Sequence, residues 1–163
     1  MTAEHGDSLW YDRREAHALG WAATGRMRRM HVSKTDTLEV RSSTDIVRIR
    51  QDVRKWTGEL GFSLVDQTKM ITAASELARN SLEYGGGGIV HFEALQDGEK
   101  KGLRLSFEDH GPGIPDLDLA LTDGYTTGKG LGLGLGGAKR LVNEFQITSR
   151  VGQGTRVTIT RWR

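Results

Sequence analysis

Glu76 and Asn80 stand four residues apart in Ser75-Glu-Leu-Ala-Arg-Asn80. On a helix that spacing projects both side chains from one face, where a carboxylate and a carboxamide oxygen can serve Mg2+-nucleotide chemistry. The same pair also fits a solvated helix edge. Asp109 opens the run Asp-His-Gly-Pro-Gly-Ile114. Gly111, Pro112 and Gly113 turn the backbone sharply beside it, and a buried carboxylate is a fitting acceptor for an exocyclic amine. Asp-x-Gly-Pro-Gly is equally an ordinary structural turn. Between Gly128 and Gly137 six of ten residues are glycine, immediately ahead of a helical pattern. Near the end, Gly152-Gln-Gly-Thr155 is by itself only a hairpin corner.

The glycine run admits two phosphate-binding readings that can be tested on the spot. Gly132, Gly134 and Gly137 satisfy G-x-G-x-x-G, in which pyrophosphate rests on amides at a helix N-terminus. A dinucleotide fold needs a strand directly before those glycines and an acidic residue about twenty positions later for the ribose. Here the glycines follow a loop and the region around Val157 is apolar and threonine-rich. A nicotinamide-dependent oxidoreductase is therefore the weakest of the functional alternatives. A Walker loop is absent, because Lys129 is followed by Gly130 and not by serine or threonine.

The elements that must position these residues follow from periodicity. Thr37 to Ser42 alternates as a short strand. Ser43, Thr44 or Asp45 can then cap a helix in which Ile46, Ile49, Val53, Trp56 and Leu60 recur at three and four. Gly61 stops it. A second helix from Val65-Asp66 to about Tyr84 carries an apolar stripe of Met70, Ala73, Leu77 and Ala78. Strands are expected over Ile89 to Leu95 and Gly102 to Glu108, joined by Asp97-Gly98 in a tight hairpin. A long glycine-rich loop leads to a helix with Leu135, Ala138, Leu141, Val142 and Phe145 on one face. A final hairpin runs from Ile147 to Val151 and from Thr155 to Trp162.

Composition sets the bounds. With 163 residues, of which 36% are hydrophobic and 27% charged, the chain is expected to build one core. No cysteine is present, which excludes disulfides and thiol catalysis. The net charge of +2 gives no general case for nucleic acid, although Arg26, Arg28 and Arg29 cluster. Apolar runs are too short for a membrane span or a secretory signal, so a cytoplasmic location is expected. Residues 1–36 lack a sustained period and read as a poorly ordered extension, with residues 37–163 as the functional domain. Met27 and Met30 leave open a start of translation later than Met1.

In this order, Ser75-Glu-Leu-Ala-Arg-Asn80, Asp109-His-Gly-Pro-Gly-Ile-Pro-Asp116, the segment from Asp123 to Phe145, and Gly152-Gln-Gly-Thr155 resemble the N box, glycine boxes and lid of the GHKL ATPases. That superfamily spans gyrase, Hsp90-type chaperones, histidine kinases and MutL. The resemblance covers Leu38 to Arg163 and is closest to the small RsbT-like serine kinases of bacterial stress-signalling switches. It implies an α+β fold, a two-layer α/β sandwich with a mixed sheet covered on one face by helices. It implies ATP and Mg2+, with Asn80 ligating the metal and Glu76 activating or orienting the attacking hydroxyl. Asp109 would accept the adenine amine, Thr155 would support it through water, and Gly111 and Gly113 would line the base pocket. The amides of Gly130, Gly132 and Gly134 would meet the phosphates, with Lys129 adding charge at the γ-phosphate unless it is simply solvated. Gly136-Gly137 stands where the family has Pro-Gly, so a looser helix start and a costlier lid closure are expected.

The expected activity is ATP-dependent phosphorylation of a serine on a STAS-domain protein, with a PPM-type serine phosphatase as the second partner. His5, His17 and His31 lie in no phospho-acceptor helix, which separates the chain from histidine kinases. The alternative is an anti-sigma factor or another ATP-dependent binding switch with little catalysis. The presence of both Glu76 and Asn80 favours retained phosphotransfer, since binding alone needs no base.

Overall fold

The computed structural model describes residues 30–122 and 133–163. Their element order is β1 (His31–Val40), α1 (Ser43–Glu59), α2 (Leu64–Glu83), β2 (Gly88–Asp97), β3 (Lys100–Asp109), α3 (Leu117–Ala120), α4 (Gly134–Arg140), β4 (Glu144–Arg150) and β5 (Gly154–Trp162). The strands form one sheet in the order β1-β2-β3-β5-β4. Every pairing is antiparallel, which corrects the expected mixed sheet within an α+β fold. The reason lies in the connections. Two successive helices separate β1 from β2 and bring the chain back to the end where β1 stopped, so β2 runs back along it. β2-β3 and β4-β5 are hairpins, the first turning at Gly98 with φ +62°.

One face of the sheet makes the core. Val90, Phe92 and Ala94 of β2 and Leu103, Leu105 and Phe107 of β3 join Ile49, Val53 and Trp56 of α1 in a single buried cluster. Met70, Ala73, Leu77 and Ala78, the stripe expected on α2, belong to it as well. Burial of each large member is worth roughly 1.5–3 kcal/mol, so the register of α2 on the sheet is strongly held. Ser63 caps α2, its hydroxyl accepting the Asp66 amide at 3.1 Å. That register decides which residues of α2 remain at the edge of the core.

Three elements differ from the periodicity. β1 begins at His31, so residues 31–36 belong to the sheet and not to an extension; the expected disorder of the earlier residues concerns positions 1–29, outside the described residues. α4 ends at Arg140, and Phe145 belongs to β4. The short helix α3 interrupts the expected loop, with Asp116 accepting the Leu119 amide at 2.9 Å.

Arg161 ties the two ends of this framework together. From β5 its guanidinium pairs with Asp66 in the first turn of α2, and its Nη1 donates to the Leu141 carbonyl, just past α4, at 2.8 Å. The arginine side chain is only 13% exposed, so removing it strands a carboxylate and a helix-end carbonyl. Arg161→Ala is expected to lower unfolding stability by about 1–3 kcal/mol, measured by urea denaturation. The Ser63 hydroxyl first, and then Arg161, hold the Asp66 carboxyl below its usual value of 3.8. A depressed folded-state value adds stability above the unfolded value and loses it as pH falls through the folded one. The difference between parent and variant should therefore narrow in acid.

Candidate functional site

A cavity of about 510 Å3 opens between α2, the ends of β3 and β5, the Pro112–Asp116 turn and the start of α4. That volume is within the usual range for a small-molecule site, roughly 300–1,000 Å3. It brings Glu76 and Asn80 together with Asp109, Gly113, Gly134 and Thr155, residues that are far apart in sequence. Gly111 sits just behind this wall, against the backbone of Tyr84 and Gly85. Lys129, Gly130 and Gly132 lie outside the described residues.

Glu76 and Asn80 share one face of α2 because that helix buries Ala73, Ala74, Leu77 and Ala78 on the other. Glu76 is nearly buried, at 12% exposure, and Oε1 accepts from Nη1 of Arg79 at 2.8 Å. Arg79 is 42% exposed, so the pair adds little stability; it fixes where the carboxylate points. Arg79 was not singled out by its residue type, although the three-residue spacing from an acid was visible. The Asn80 carbonyl accepts the Tyr84 amide at 3.0 Å and the Gly85 amide at 3.3 Å, which closes the helix beside the cavity.

Asp109 is the last residue of β3, paired in register with Thr155 of β5. Its Oδ1 accepts the Gly111 amide at 3.0 Å. Burial raises its carboxyl above the usual 3.8, against the opposing pull of the Gly111 and Thr155 amides. A raised folded-state value gives stability below the unfolded value that is lost as pH rises through the folded one. Ionised Asp109 is therefore a cost to the ligand-free fold at neutral pH. Asp109→Asn should melt no lower than the parent at pH 7, and any gain should vanish as the pH falls into the carboxylate range. A scan of melting temperature against pH checks this.

Beside Asp109, a hydroxyl network orients Thr155. Ser149 Oγ accepts the Ile114 amide at 2.8 Å and donates to the Gly154 carbonyl at 3.1 Å. Since that uses its one proton, the 2.8 Å contact between Ser149 and Thr155 is donated by Thr155. The Thr155 oxygen keeps acceptor capacity toward the cavity. Ser149 was missed because a lone serine in an alternating strand carries no motif. Gly113, at φ +75°, lies so close to the Arg150 carbonyl that no side chain fits there, and the Gly152 amide donates to the Pro112 carbonyl at 2.8 Å. These contacts dock the two glycine turns on each other. Gly134 opens α4 at φ +64°, and Gly136 and Gly137 are buried within that helix.

Among the described lining residues, Arg79 is the only cation, while Glu76, Glu83, Asp109 and Asp116 are acidic. No group of three or more His, Cys, Asp or Glu that could hold a metal alone occurs among the described residues. A carboxamide oxygen on Asn80 suits a hard cation whose other ligands are water and a bound anion.

The chain is similar to several known proteins. The chain is 46% identical over 125 residues to the serine/threonine-protein kinase RsbT of Bacillus subtilis, covering 77% of this chain and 94% of that protein. It is 31% identical over 118 residues to the anti-sigma F factor of Clostridium kluyveri, covering 69% of this chain and 82% of that one. A solved structure of the RsbU and RsbW domains of a Mycobacterium tuberculosis protein shares the fold, with TM-score 0.53 and 24% identity over 78% of this chain and 33% of that chain. The family model for histidine kinase-, DNA gyrase B- and HSP90-like ATPases matches residues 65–162. That match runs through all the described elements that wall the cavity, and the chain accordingly belongs to the family of histidine kinase-, DNA gyrase B- and HSP90-like ATPases.

Proposed function

We propose that the protein is an ATP-dependent serine/threonine kinase that phosphorylates a STAS-domain protein and, once released from it, activates a PPM-type serine phosphatase. The observation that carries this reading is the convergence of Glu76 and Asn80 with Asp109 on one cavity, in a chain 46% identical to a serine/threonine kinase over most of its length. ATP would supply the γ-phosphoryl group, and a bound Mg2+ would neutralise charge on its oxygens. Asn80 would hold the metal and Asp109 the adenine amine, with the acceptor side of Thr155 taking a bridging water. Glu76 would take the proton from the substrate serine as its oxygen bonds to the γ-phosphorus and ADP leaves. The acidic lining explains why a polyanion would enter with its cation. A cytoplasmic location fits, and no helix among the described residues is long and apolar enough to cross a membrane.

The relative named as an anti-sigma factor keeps a second reading in view, in which the same nucleotide site serves sigma-factor capture. One experiment separates them. Incubating the protein with labelled ATP, Mg2+ and the STAS-domain proteins encoded beside it should label one of them on serine. No transfer together with tight ATP-dependent sigma-factor binding would overturn the kinase reading. The adenine assignment has its own check: Asp109→Asn should weaken ATP binding about tenfold or more, the value of one hydrogen bond to a charged group. Equal calorimetric affinities of the parent for ATP and GTP would contradict it.

A further inference from the structure

We propose that Gly85 is a positioning residue for base recognition: the bare backbone just past α2 is the floor on which the Asp109 carboxylate rests. This rests on the reading of the cavity as an adenine-nucleotide site. A β-carbon added at Gly85 would lie 2.5 Å from both Cβ and Cγ of Asp109 and 2.6 Å from the Ser81 carbonyl oxygen. Real side chains essentially never approach so closely, and the Ser81 carbonyl cannot yield, because it accepts the Gly87 amide at 2.9 Å. Relieving both contacts requires the Gly85 backbone and the Asp109 side chain to shift together. Gly111 closes the same socket, since a β-carbon there would meet the Gly85 Cα at 2.6 Å and Asp109 Oδ1 at 3.2 Å. Gly154 is also tight, against the Asp109 carbonyl.

Gly85 also lines the cavity, and its amide donates to the Asn80 carbonyl at 3.3 Å. One glycine thus touches the backbone of the proposed metal ligand and the side chain of the proposed base reader. A methyl group at position 85 is expected to push the carboxylate off the amine while leaving the phosphate end in place. Asn80 and Glu76 lie within the hydrogen-bonded helix and do not depend on that contact.

The discriminating probe is the pair ATP and purine riboside triphosphate, which lacks the exocyclic amine and otherwise matches it. The parent should prefer ATP by about tenfold or more, one hydrogen bond to a charged acceptor. In Gly85→Ala that preference should fall to within about twofold, while the affinity for purine riboside triphosphate stays near the parental value. A merely destabilised variant would weaken both ligands equally and keep the ratio; that result overturns the role of Gly85. Should Gly85→Ala not fold, Gly111→Ala carries the same test, because its β-carbon meets both Gly85 and the carboxylate; a parental ratio there overturns the proposal. A parent that binds the two ligands equally removes the Asp109 reading itself, and with it Gly85. A parental preference that persists in Gly85→Ala removes Gly85 alone.

Discussion

Replacing Glu76 by glutamine is expected to lower single-turnover phosphorylation of the STAS substrate by about 10²–10⁴-fold while ATP and the partner still bind. Glutamine keeps the shape of the side chain and an oxygen for the Arg79 hydrogen bond, but it cannot accept a proton. Glu76 is nearly buried at the cavity wall, at 12% exposure, so the substitution removes proton acceptance at one fixed position. Phosphoryl transfer has a loose transition state in which positioning and the metal carry much of the rate, which favours the low end of the range. Arg79→Ala should cost less, because it loosens the carboxylate without removing it. A pull-down of the same pair, run beside the transfer assay, separates chemistry from binding. Unchanged transfer in Glu76→Gln would end the assignment of Glu76 as the base.

Asn80→Ala is expected to reduce Mg2+-dependent transfer by at least about 10²-fold, because one side chain is asked both to place a cation and to stabilise developing charge through it. The fold should survive. Asn80 supports the end of α2 through its backbone carbonyl, which accepts the Tyr84 and Gly85 amides and is unchanged by the substitution. Circular dichroism and melting temperature should match the parent, and raising Mg2+ should restore part of the rate. Full activity at low Mg2+ would place the metal elsewhere.

Where sequence reasoning succeeded and failed has physical causes. The helical stripe of α2 was readable because Met70, Ala73, Leu77 and Ala78 are all buried, and burial leaves a period in the residue types. The start of β1 was not, because almost the whole strand is exposed and its only apolar residue before Leu38, Val32, falls at a register shift in the ladder with β2. An edge strand that buries little has no pattern to show. Helical spacing extends through Leu141, Val142 and Phe145, yet the chain leaves the helix at Arg140. There Asn143 already donates its amide to Thr160 at 3.0 Å, and a ladder with β5 outcompetes a glycine-rich helix of weak propensity. The lining of the candidate site was legible where residue type and spacing coincide, as at Glu76 and Asn80. It was illegible where an ordinary residue works through its neighbour, as Ser149 does for Thr155 and Arg79 for Glu76.

The ladder between β3 and β5 closes at the pair Asp109 and Thr155, and between them the chain makes an excursion that returns through α4 in the core and β4 on the far side of β5. The entropy of closing such a loop grows only with the logarithm of its length, about 0.6 kcal/mol for each doubling. Insertions and deletions in the parts of the excursion outside α4, β4 and the docked glycine turns therefore cost the β3-β5 join little, whereas a single residue added within either strand would shift Thr155 away from Asp109 and turn its side chain to the other face. Length variation in evolution, and engineered insertions such as a reporter domain, should be tolerated only where the excursion lies outside α4, β4 and those turns, and rejected at its anchors.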